Sequence, residues 1–136
     1  IQEHTVNTAL LIIDVQNDFC AGGALAVPDA EAILPVVNSL IRDIRTIFFT
    51  QDWHPRGHVS FASSHHGQHP FSRITLPFGD QLLWPDHCIE NTAGAAFHPA
   101  LEVPPDATVI RKGTQRDSDD YSAFQENDPK TPIVLD

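Results

Sequence analysis

"TALLIID", residues 8–14, decides the architecture: five successive apolar residues close on a single carboxylate. An apolar run without polar alternation reads as a strand buried on both faces, as parallel sheets require. After it, the Gly22-Gly23 pair and Pro28 mark a loop. In "DAEAILPVVNSLIRD" (29–43), Ile33, Val37, Leu40 and Ile41, with Ile44 just beyond, recur at three- and four-residue spacing. That spacing predicts one buried helix face. Asp29 suits the N-cap and Pro35 fits near the first turn, so the helix is expected to begin between residues 29 and 32. "IRTIFFTQD" (44–52) is a second strand. Strand, helix and strand with short joints form a βαβ unit with parallel strands. "ATVIRKG" (107–113) is a third strand, ended by Gly113. Residues 53–106, rich in proline and histidine and poor in periodicity, read as a long ordered loop region, which is usually functional.

In a parallel sheet these strands place Asp14, Asp52 and Lys112 together at the carboxyl edge, where open α/β sheets bind ligands. Two acids and a lysine there exceed what the fold needs. Asp14, buried at a strand end, requires a partner. Its pairing with Lys112 is either a structural salt bridge or an acid/base residue beside a tuning lysine.

The chain has 136 residues, enough for one domain with a modest core. Its 41% hydrophobic content suits a globular protein. Eighteen acidic against eight basic residues give a net charge of −10, which disfavours nucleic acid and anionic membrane as partners. No apolar run approaches the roughly 20 residues of a membrane span, and no secretory signal is expected. Methionine is absent, so the native first residue is expected to be missing. Two cysteines are too few for a disulfide scaffold; free thiols in a reducing cytoplasm are expected.

Histidine is in local excess: five of the eight lie between His54 and His69. In "TQDWHPRGH" (50–58), Asp52 and His54 flank Trp53, and in an extended segment residues i and i+2 share a side. Both can reach one divalent ion, with His87 as a third ligand and His58 as a fourth. The competing reading is a polar surface loop that binds nothing. Phe19, Trp53, Trp84 and Tyr121 either wall a pocket for a flat ring or pack loops. No nucleophile elbow is present. Cys88, adjacent to His87 on an extended segment, should face away from an ion, and Cys20 lies beside the Asp14 loop. Small, partly buried thiols are the expectation for both.

"LLIIDVQNDFCAGGALAV", "TQDWHPRGHVSFASSH", "WPDHCIENTAGAAFHPAL" and "VIRKG" followed by "DSDDYSAF" closely resemble nicotinamidases (pyrazinamidases) of the isochorismatase-like cysteine hydrolases. The resemblance runs from about Thr8 to Thr131. It implies a three-layer, Rossmann-like α/β fold with a parallel sheet, and hydrolysis of nicotinamide or pyrazinamide through a cysteine thioester. It matches Asp14 and Lys112 to catalytic positions, and Asp52, His54 and His87 to metal ligands. His58 matches a further ligand of some members, and Phe19, Trp84 and Tyr121 match positions lining the ring pocket. The implied cofactor is a divalent ion, zinc foremost, with iron and manganese also suited.

One departure is serious. The family's nucleophilic cysteine lies downstream, and no such block follows "ENDPKTP" and "IVLD". Residues 1–136 are therefore expected to be the N-terminal portion of a single hydrolase domain, inactive alone. The remainder would come from a missing C-terminal segment or a second chain; a homo-oligomer is compatible. A catalytically inactive relative that binds metal or a pyridine is the alternative.

Overall fold

A computed structural model describes residues 7–124. In chain order it contains β1 (Ala9–Ile13), α1 (Leu34–Asp43), β2 (Thr46–Asp52), β3 (Arg73–Leu76), β4 (Gly79–Leu82) and β5 (Thr108–Lys112). Strands β1, β2 and β5 form a parallel sheet in that order, with β2 at its centre. The three strands expected from apolar runs are thus present. "ENDPKTP" and "IVLD" lie outside the described residues.

The helix begins later than expected. Residues Ala30–Ile33 form a 3₁₀ turn, and α1 starts at Leu34 with Pro35 in its first turn. Proline has no N–H for an i→i−4 bond, so the regular helix cannot extend backward through it. Asp29 makes no side-chain cap; its backbone is left-handed at φ 56°. Leu34, Val37 and Ile41 face the sheet, joining Ile12, Val15, Phe49 and Leu101 in the core. Ile33 and Leu40, expected on that face, are exposed, and Ile44 caps the helix in extended backbone.

Register explains which sheet face is covered. Ile12 pairs with Phe49 and Phe49 with Val109; Ile12 and Phe49 lie under α1 and the 97–103 segment, while Val109 at the end of the row is exposed. The opposite row contains Ile13, Thr50 and Ile110. Ile13 is 61% exposed, so β1 is buried on one face, not on both. Among the described residues one helix layer covers one face, giving two of the three expected layers.

The long segment after β2 is not all loop. β3 and β4 pair antiparallel as a hairpin, Arg73 with Leu82 through Leu76 with Gly79. Gly79 takes φ 132°, a backbone that side-chain-bearing residues rarely adopt. Phe61 and Leu83 in the flanking chain are both fully buried, and the Phe61 ring packs on His54, His58 and His87.

Candidate active site

Asp52 and Lys112 are register partners on β2 and β5, so their side chains leave the sheet on one face. Asp14, continuing the alternation of β1, would point to the other face with Ile12. Instead its backbone is left-handed at φ 53°. The carboxylate thereby accepts the Thr50 hydroxyl at 2.7 Å and pairs with Lys112 Nζ at 2.8 Å. Lys112 also bonds Asp52 Oδ1, so one buried ammonium bridges two carboxylates.

His54 and His87 converge on the other oxygen of Asp52. Their Nε2 atoms lie 3.6 and 4.0 Å from Asp52 Oδ2. The Nδ1 of His54 meets the Gly113 carbonyl at 2.8 Å, and the Nδ1 of His87 meets the Pro85 carbonyl at 2.7 Å. A carbonyl only accepts, so each Nδ1 carries a proton, and Nε2 is the nitrogen each ring turns toward Asp52. This arrangement suits metal-ligating histidines. One ligand atom from each of Asp52, His54 and His87 lies within 4.8 Å of the others, and all three residues are buried.

His58 stands outside this trio. Its ring stacks on His54 with centroids 4.2 Å apart, and its nitrogens engage Ser60 Oγ at 2.7 Å and the Ser118 carbonyl at 2.9 Å. Neither nitrogen is left over for an ion in this arrangement.

Asp14, Asp52, His54, His87 and Lys112 line one cavity of about 230 Å³ with Phe19, Trp84 and Tyr121, and His58 lies behind its wall. Trp53 does not join them; its ring lies under the Arg111 guanidinium at 3.7 Å, on a separate surface cavity. Leu25, Ser60, Asp119 and Asp120 also line the site and were not anticipated. The acids sit in "DSDDY", whose run of like charge suggests a solvated face. Asp119 is buried and accepts the Gln81 amide of β4 at 2.7 Å. The same Gln81 nitrogen reaches the Tyr121 hydroxyl at 3.3 Å, so the hairpin braces the pocket wall. Four carboxylates face one ammonium in this cavity, an excess that favours a cation.

Burial pushes the Asp14 carboxyl above the usual carboxylate range, and the Asp52 charge adds to the rise; Lys112 offsets it only in part. Burial acts on Asp52 in the same direction, but His54 and Lys112 together win and hold its carboxyl down at about 2. Burial opposes the charge on Lys112, yet Asp52 and Asp14 keep it protonated, above the ordinary lysine value. Two carboxylates of contrasting proton affinity thus share one lysine.

Neither cysteine lines the cavity. Cys88 is fully buried, and its backbone is left-handed at φ 45°, not extended. Burial, then the Asp52 charge, push its thiol far up. Burial and Glu31 raise that of Cys20. Both thiols are unpaired with each other.

This fold belongs to a known class. Residues 8–128 match the isochorismatase domain, and the chain is a member of that family. Within it, 129 residues are 52% identical to the nicotinamidase of Acinetobacter baylyi, covering 95% of this chain and 60% of that relative. The solved nicotinamidase/pyrazinamidase of Acinetobacter baumanii superposes with a TM-score of 0.91 at 47% identity, over 98% of this chain and 64% of that one. A pyrazinamidase of Pyrococcus horikoshii, solved in complex with zinc, superposes at 0.70 with 38% identity, over 88% of this chain and 59% of that one. The chain therefore spans about three fifths of the length of these relatives.

Proposed function

We propose that these residues form the acid/base and metal-holding portion of a nicotinamidase, hydrolysing nicotinamide, and pyrazinamide as an analogue, to the carboxylic acid and ammonia. The convergence of Asp14, Lys112, Asp52, His54 and His87 in one ring-sized cavity carries this reading. Phe19 and Trp84 offer the apolar walls a pyridine ring requires, and Tyr121 closes the rim.

Asp14 is suited to proton transfer because burial raises the affinity of its carboxyl for a proton. It would take the proton of an attacking thiol and deliver it to the departing amide nitrogen. The thiolate adds to the carboxamide carbon, the C–N bond breaks, ammonia leaves and a thioester remains. Asp14 would then take a proton from the water that cleaves the thioester. Lys112, held charged, favours the thiolate and the oxyanion. The nucleophile would belong to the part of the fold that the relatives have beyond these 136 residues, since Cys20 and Cys88 lie outside the cavity. On this reading residues 1–136 are the N-terminal portion of one hydrolase domain.

Asp52, His54 and His87 would hold a divalent ion, zinc foremost, because both histidines already direct Nε2 inward. Bound there, it would supply a Lewis acid and a ligand for the ring nitrogen. Two free thiols agree with a cytoplasmic setting. No helix among the described residues is long and apolar enough to cross a membrane.

The test is ammonia release from nicotinamide by the full-length protein, with Asp14→Asn alongside. Turnover that disappears in the variant is expected. A full-length protein that loads metal yet releases no ammonia from nicotinamide would overturn the reading.

A further inference from the structure

A second group of ligand-bearing side chains lies outside the cavity just described. Cys20 ends the 3₁₀ turn Asn17–Phe19, Glu31 sits in the 3₁₀ turn Ala30–Ile33, and His98 follows the core residue Phe97. One ligand atom from each lies within 4.8 Å of the other two. Cys20 is buried, and the other two are half-buried. We propose that Cys20, Glu31 and His98 form a second metal site, for a thiophilic divalent ion of the zinc type.

The donor set is the first ground. Thiolate, imidazole and carboxylate together are ligands that zinc and cobalt accept in tetrahedral geometry, whereas magnesium and calcium prefer all-oxygen sites. The charge balance is the second. A thiolate and a carboxylate neutralise a dication, and without one the Glu31 charge stands against the thiol. Preorganisation is the third. Glu31 Oε1 accepts the Ala21 N–H at 2.6 Å, which fixes the carboxylate. The His98 backbone is tied to Val15 by N–H···O=C at 2.9 Å, so its loop is anchored to the strand end. A cavity of about 340 Å³, bordered by Cys20, Gly22, Gly23, Gly94 and His98, leaves room for water as a fourth ligand.

Loading has a proton balance. The Cys20 thiol must release its proton to solvent as the sulfur–metal bond forms. The Ala100 N–H donates to His98 Nδ1 at 3.1 Å, placing the ring proton on Nε2 in the metal-free protein. An ion at Nδ1 displaces that amide, and an ion at Nε2 moves the ring proton to Nδ1, against the amide. Either way one hydrogen bond is lost. At His54 and His87 the proton already sits on the outward nitrogen, so the second site is the weaker of the two. An ion there would pin the Phe19 turn, a wall of the substrate pocket, to two neighbouring segments.

Cobalt(II) separates the two sites, because among the described residues only the second offers a sulfur ligand. The full-length protein, stripped of metal and titrated with cobalt(II), should bind two ions per chain. A thiolate-to-cobalt charge-transfer band in the near ultraviolet should accompany the second. His54→Ala should lose one ion and keep the band. Cys20→Ser should lose the band and keep one ion. His98→Ala, at a half-buried loop position, checks the result should Cys20→Ser fold poorly. A single ion with no thiolate band, or a band that survives in Cys20→Ser, overturns the site.

Discussion

Gln16 grips Asp52 by its own peptide groups. Its amide nitrogen donates to the Asp52 carbonyl at 2.8 Å, and its amide oxygen accepts the Asp52 N–H at 2.9 Å. The nitrogen also reaches the Ala95 carbonyl at 2.8 Å, and the side chain is fully buried. The last residue of β2 is thus fastened across the turn that follows β1. Gln16→Leu keeps the volume and takes the side-chain partner from the Asp52 N–H and the Asp52 carbonyl, while the Ala95 carbonyl keeps the Gln51 amide. The expected loss is about 3 kcal/mol, read as a lower urea midpoint. Zinc affinity should fall with it, because Asp52 loses its anchor.

Gly113 leaves no room for a side chain. A Cβ there would stand 2.3 Å from His54 Cε1, and the backbone is left-handed at φ 63°. Its carbonyl is the group that fixes the His54 tautomer. Gly113→Ala must push that ring away, so zinc affinity should drop roughly 10- to 100-fold in a chelator competition. An unchanged zinc affinity would mean that His54 is not a ligand.

Lys112 neutralises two buried acids. Lys112→Met retains the aliphatic stem and leaves Asp14 and Asp52 facing each other. Stability should fall by about 3 kcal/mol, and kcat of the full-length protein by at least about 100-fold. Asp14→Asn should instead keep or raise stability while abolishing turnover, since it removes a carboxylate that burial disfavours.

His58 gives the metal-free protein a pH dependence of known sign. Burial, then the charge of His54, bring its imidazole down from the ordinary 6.5 to about 4. The folded state keeps it neutral while the unfolded chain takes up a proton near 6.5. Stability from this group is therefore whole above pH 6.5 and is lost as pH falls toward 4, by about 3 kcal/mol in total. His54, whose imidazole is raised, works in the opposite sense. The comparison is between wild type and His58→Gln in urea melts from pH 7.5 to 4.5. A shallower slope in the variant is expected, and parallel slopes would remove His58 as the cause.

Sequence periodicity revealed the three parallel strands because each is a short apolar run ended by a charged or turn residue. Their order along the chain was enough to bring Asp14, Asp52 and Lys112 to one edge. The hairpin was hidden: "RITL" and "GDQL" carry polar residues at alternate positions, and buried Gln81 looks like a solvent-facing one. Gln16 and Asp119 were hidden for the same reason, since their partners are distant backbone and amide groups that no local pattern announces. The start of α1 differs from the expectation at Asp29 because Pro35 lacks the N–H that a regular helix running back to residue 29 needs. Six of the nine residues assigned from the sequence lie in segments without periodicity: Phe19, His54, His58, Trp84, His87 and Tyr121. Their chemistry makes them candidates, and the resemblance alone separates a role from loop packing.

The left-handed turn at Asp14 also limits how this position can be redesigned. Asparagine and glycine tolerate such a backbone, whereas valine, isoleucine or threonine would strain it. Glutamate brings both an unfavoured conformation and an extra methylene where Thr50 and Lys112 already fix the reach. A library seeking a different proton carrier would do better to leave this residue and vary the opposite wall, where Asp119 offers a second carboxyl on ordinary backbone.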